Sequence, residues 1–107
     1  MCWRVEIPNE IVAREIELLP DDIQAKFLRV SGLIEQFGIT AMREPYVKHL
    51  EGKLWEMRMK GRDGIARALY VAAVGKRVVV LRAFIKKTQK TPRPEIRLAL
   101  QRAKEFL

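Results

Sequence analysis

The side chains best suited to chemistry in this sequence are cations: Arg58, Lys60, Arg62, Arg67, Arg82, Lys86, Lys87 and Lys90 follow one another along the second half of the chain. Such a set suits phosphate, because a guanidinium fork meets two phosphate oxygens at once and an ammonium adds a compact charge. Carboxylates are sparse among them, and Glu56 or Glu51 could instead neutralise a half-buried arginine as a structural pair. The usual catalytic frameworks are missing: one His, one Cys, no HExxH, no glycine-rich phosphate loop closed by Lys-Ser/Thr, and no GxSxG. Most hydrolase classes are thereby disfavoured, and no metal or other cofactor is expected. The lone His49 could act as a general base, but a plain position at a strand edge is the expectation. Cys2 has no activating neighbour in sequence and is expected to be inert.

Charge is distributed unevenly. Residues 1–53 carry seven Lys+Arg against nine Asp+Glu, a net of −2, and residues 54–107 carry fourteen against four, a net of +10, within a total of +8. A polyanion is the natural partner of such a half. With 107 residues and 49% hydrophobic content the chain can bury one core, so residues 1–107 are expected to form a single domain. The start, MCWRVEIP, lacks an apolar leader core, and no apolar run reaches the ~18 residues of a membrane span. One cysteine allows no internal disulfide, so a cytoplasmic location is expected.

These residues need a scaffold, and the periodicity supplies one. Trp3, Val5 and Ile7 alternate with charges as a short strand, ended by Pro8. Asn9 can cap a helix carrying Ile11, Val12, Ile16 and Leu19, and reaching about Leu19. Pro20-Asp21-Asp22 breaks and restarts it. Ile23, Phe27, Val30, Leu33, Ile34 and Phe37 keep the 3.6-residue period up to Gly38, a good helix terminator. The stretch YVKHLE between Pro45 and Gly52 reads equally as a short strand or an extended connection. Leu54–Lys60, Ile65–Ala73 and Arg77–Lys86 read as three strands joined by turns at 61–64 and 74–76. Thr91-Pro92-Arg93-Pro94-Glu95 opens a last helix. The order is βααβββα: an α+β domain, with an N-terminal helical hairpin and a C-terminal helix packed on one face of a mostly antiparallel sheet. Alternate residues of neighbouring strands share a face, so Arg58, Arg67 and Arg82 converge if the registers agree. Trp3, Trp55 and Tyr70 lie in apolar strands and are expected in the core.

The segments LWEMR, GRDGIARALY and FIKKTQKTP, from Leu54 to Leu98 and beyond, resemble the RelE/ParE toxin superfamily and its phage-derived HigB-like branch. With the βαα opening, the resemblance covers nearly the whole chain. It implies a RelE-like fold and a type II toxin that cuts mRNA on the ribosome without metal, the 2′-hydroxyl attacking the adjacent phosphate. It also implies a cognate antitoxin of helix-turn-helix type that masks the basic surface, with an acidic segment expected over Arg67 and Lys87.

By matching segments, Arg67 falls where the family has an arginine beside the scissile phosphate, and Lys87 where a second phosphate contact occurs. Arg58 falls on a lysine that assists proton transfer in relatives, and Glu56 on another, which departs from the pattern. A tyrosine of some relatives has no match, its place being near Arg93. The base and acid stay unassigned among Glu56, Lys86 and His49. Lys60, Arg62, Arg82, Lys90 and Arg93 complete the expected RNA-binding set. The same fold leaves two other readings open: a ParE-like inhibitor of gyrase, and an inactive relative that only binds antitoxin or RNA.

Overall fold

The structure is a computed structural model that describes residues 3–39, 47–87 and 89–107. Strand β1 (Arg4–Glu6) leads through Pro8 to helix α1 (Glu10–Glu17), whose first turn is capped by Asn9 Oδ1 accepting from the Val12 amide at 3.0 Å. The helix ends two residues before the expected limit. Leu19 turns inward instead, its amide donating to the Ile16 carbonyl at 3.0 Å, because Pro20 cannot continue the ladder. Helix α2 (Asp21–Phe37) starts at once, and the Gln24 amide bridges the joint by donating to the carbonyls of Glu17 and Leu19. Gly38 closes α2 at φ 89°, a conformation that disfavours any side chain, with Trp3 against the place a Cβ would fill.

The undecided YVKHLE stretch contains β2 (Val47–Glu51), so the meander has four strands rather than three: β2, β3 (Leu54–Lys60), β4 (Ile65–Ala73) and β5 (Arg77–Ile85). The sheet order is β1-β5-β4-β3-β2, antiparallel except that β1 joins β5 in parallel. Helix α3 (Arg93–Ala103) completes the order βααββββα.

The expectation that all helices share one face of the sheet is corrected. Val12 and Ile16 of α1, with Ile23, Phe27, Val30 and Ile34 of α2, pack on Met57, Met59, Ala66, Ala68, Tyr70, Val78 and Val80. Ile96, Ala99 and Ala103 of α3 pack instead on Leu54, Leu69, Val71, Val79 and Leu81, which alternate with the first set and therefore line the other face. β4 and β5 are apolar on both faces because both are covered. Each large apolar side chain so enclosed contributes about 1.5–3 kcal/mol relative to exposure. Among the described residues no helix is long and apolar enough to cross a membrane.

Four charged groups knit the layers at β5. Glu15 of α1 accepts from the Ala83 amide (3.1 Å) and from Arg102 of α3 (2.9 Å), and pairs with Arg82 (3.1 Å), which also donates to Glu95 of α3 at 2.6 Å. At the opposite end of β5, Arg77 clasps Glu6 of β1 through two hydrogen bonds of 2.9 and 3.0 Å.

Two predictions follow from these joints. A Cβ on Gly61 would stand 2.5 Å from Ile23 Cγ1 and 2.8 Å from Asp22 Oδ2, and Ile23 is fully buried, so Gly61→Ala should destabilise by about 1–3 kcal/mol in urea unfolding. The Arg77 guanidinium holds the Glu6 carboxyl below its ordinary range, so this clasp stabilises above the unfolded-state value and the benefit is lost as pH falls through the folded one. The stability gap between wild type and Arg77→Gln should therefore be present at about pH 6 and close toward about pH 2. A gap independent of pH would refute the clasp.

Candidate functional site

Past the N-terminus of α3, the face that this helix covers turns from apolar to polar. Leu54 is followed on the same side of β3 by Glu56, Arg58 and Lys60, and Val71 and Leu69 on β4 are followed by Arg67. Register sets Arg58 directly opposite Arg67, Lys48 opposite Glu56, and Glu56 diagonal to Arg67. The segment entering α3 crosses over this patch, and together they form a cleft of about 210 Å³ lined by the 48–50 stretch of β2, Glu56, Arg58, Arg67, Gln89, Lys90, Thr91 and Ile96.

Its floor is a buried ionic network. Glu56 and Arg67 are each only 1% exposed. Arg67 Nε lies 3.3 Å from Glu56 Oε1, an ion pair without the alignment of a hydrogen bond. Arg67 Nη1 donates to Thr91 Oγ1 at 2.7 Å, and Nη2 to the Gln89 carbonyl at 2.5 Å. The Thr91 hydroxyl in turn donates to Glu56 Oε2. Arg58 Nε reaches Glu56 Oε1 at 3.3 Å from the solvent side, its side chain 33% exposed. Burial pushes the Arg67 guanidinium below its usual range; Glu56 opposes that and Arg58 reinforces it.

The sequence-derived candidates separate into groups. Arg58, Arg67, Glu56 and Lys90 meet in the cleft. The expected convergence therefore holds for two of the three arginines: Arg82 faces Glu95 and Glu15 instead, and its guanidinium is raised above its usual value chiefly by the Glu95 hydrogen bond. Arg67 is buried, so its guanidinium does not reach the protein surface. Lys87 is exposed just beyond β5, and Lys86 is half-buried with its amide bonded to the Ile65 carbonyl. Lys60 and Arg62 are exposed at the β3–β4 turn, where the Arg62 amide donates to Asp22 Oδ2 at 2.6 Å. Arg93 bonds Glu51 at 2.7 Å.

His49 sits at the sheet edge as expected, its Nε2 2.7 Å from the Gly52 carbonyl and its ring edge-on to Trp55 at 5.1 Å. Trp55 is 37% exposed, contrary to its expected core position, whereas Tyr70 is core and burial pushes its phenol up to about 12. Cys2 lies outside the described residues. Among these residues no three His, Cys, Asp or Glu side chains cluster as potential metal ligands.

Sequence reasoning passed over Thr91, the Gln89 carbonyl and Lys48. Thr91-Pro92 reads as a helix opening, and only the return of the chain over β3 brings its hydroxyl to Glu56. Lys48 becomes part of the cleft once its stretch is a strand opposite Glu56.

Residues 14–104 match the family described as phage derived protein Gp49-like (DUF891). Comparison with curated proteins gives no match.

The floor carries its own prediction. Glu56→Ala leaves a buried guanidinium without its carboxylate and should cost about 3–5 kcal/mol in urea unfolding, with Glu56→Gln losing less because its amide oxygen still accepts. A loss under about 1 kcal/mol for Glu56→Ala would show that water reaches the pair.

Proposed function

The chain belongs to the phage-derived Gp49-like family, and on that footing we propose that it is a toxin acting as a ribosome-dependent mRNA endonuclease. The observation that carries this reading is a carboxylate, Glu56, set between Arg58 and Arg67 at the floor of a cleft rimmed by Lys48 and Lys90. A proton acceptor among fixed cations is what cleavage by a neighbouring hydroxyl requires.

The chemistry is as follows. The ribose 2′-hydroxyl passes its proton to Glu56 while its oxygen bonds to the adjacent phosphorus. The bond from phosphorus to the 5′-oxygen breaks, that oxygen takes up a proton from water, and Glu56 returns the proton it accepted to solvent. The products are a 2′,3′-cyclic phosphate and a 5′-hydroxyl. Negative charge that builds on the phosphoryl oxygens is met by Arg58, the guanidinium that reaches the cleft surface, with Lys90, Lys86 and Lys87 holding the flanking phosphates. Arg67 pairs with Glu56 and orients it at the floor of the cleft. Lys60 extends the cationic row along β3. The basic half of the chain supports binding to RNA on the ribosome, and an acidic antitoxin segment would meet Arg58, Lys87 and Lys90.

The test is primer extension on mRNA translated in a purified system. Wild type should create new 5′ ends only when ribosomes are present, and Arg58→Ala should lower the cutting rate about 10²-fold or more with its circular dichroism unchanged. Absence of new 5′ ends in that system, with growth arrest and intact mRNA when the protein is induced in cells, would overturn the reading and direct attention to a protein target such as gyrase.

A further inference from the structure

We propose that the Thr91 hydroxyl occupies a subsite for a ribose 2′-hydroxyl, so that this one position on the cleft wall is filled by a side chain of the protein until RNA displaces it. The inference rests on the RNA-cleaving reading of the same cleft and assigns the place where the attacking hydroxyl is held.

Three observations carry it. First, the Thr91 hydroxyl makes the pair of bonds that a ribose hydroxyl makes as donor and acceptor: it donates to Glu56 Oε2 and accepts from Arg67 Nη1 at 2.7 Å. Second, the other carboxylate oxygen is already engaged, since Arg58 and Arg67 both lie 3.3 Å from Oε1, which leaves Oε2 as the oxygen a substrate would use. Third, Glu56 and Arg67 are 1% exposed although both line the cleft, and half-buried Thr91 stands beside them on its wall. Rotation of one short side chain would uncover a carboxylate and a guanidinium spaced to hold a hydroxyl. DNA has no hydroxyl to offer there, so the subsite discriminates between the two nucleic acids.

The experiment compares wild type, Thr91→Ala, Thr91→Val and Thr91→Ser in binding a short single-stranded RNA and the DNA of the same sequence. Binding is read by fluorescence anisotropy without ribosomes, each variant being checked for cooperative unfolding. Thr91→Ala opens the subsite and should bind RNA about tenfold more tightly than wild type does, with DNA binding unchanged. Thr91→Val fills the space without either hydrogen bond and should show no such gain, and Thr91→Ser should follow wild type.

Equal shifts for RNA and DNA, no shift in Thr91→Ala, or no binding of either nucleic acid would each overturn the subsite. Its failure is separable from that of the proposed function: ribosome-dependent cutting with no change in RNA over DNA preference in Thr91→Ala refutes the subsite alone. An RNA-specific gain in a protein that never cuts mRNA keeps the subsite and refutes the nuclease.

Discussion

A carboxylate and a guanidinium enclosed together inside a protein must replace, with each other and with neighbouring dipoles, the water both have lost. Glu56 and Arg67 meet that constraint through the Thr91 hydroxyl, the Gln89 carbonyl and the Arg58 guanidinium, so that the network satisfies oxygens on one side and N–H groups on the other. Its members come from β3, β4 and the segment before α3, and each is placed by the others. The pair holds only in the register that sets Arg58 opposite Arg67; a one-residue slip would turn Glu56 toward the helical hairpin and its Met57-Met59 core. The same bonds tie residues 89 and 91 down against the sheet, which fixes where α3 begins.

From that starting point the division of the second sheet face follows. Helix α3 covers Leu54, Leu69, Val71, Val79 and Leu81, and the polar remainder is left to a strap of irregular chain whose backbone and hydroxyl groups can bond it. A helix laid over Glu56 and Arg67 would present side chains but no free carbonyl like that of Gln89, since helical carbonyls are engaged along their own axis. Irregular chain over the buried ions and regular helix over the apolar rows are thus two answers to one requirement, that every enclosed polar group find a partner.

The arginines divide by the same rule. Arg82 and Arg102 converge on Glu15, which also caps the amide of Ala83 where β5 runs past the end of the short β1. Arg77 is held by Glu6. These cations join layers and are largely neutralised where they stand. Arg58 and Lys90 line the cleft, and part of the +10 of the C-terminal half is engaged in joining layers instead of facing outward.

Much of the scaffold was legible in the residues themselves. Asn9, Pro20, Gly38 and Pro92 act through their own backbone and capping preferences, and the 3.6-residue period of Ile23, Phe27, Val30 and Ile34 reports burial directly, so the helices could be read from local chemistry. The apolar runs of β4 and β5 carried a further message, burial on both faces, which the one-faced arrangement overlooked. β2 was ambiguous because five residues with a polar face satisfy a strand and a loop equally until a neighbour supplies the ladder. Residue type alone marked Glu56, Arg58 and Arg67 as able to pair. Only tertiary structure decided that Arg67 lies at the floor, that Arg82 joins Glu15 and Glu95, and that Thr91 closes the network, because each outcome depends on partners 11 to 67 positions away whose approach is set by register and packing rather than by any local preference.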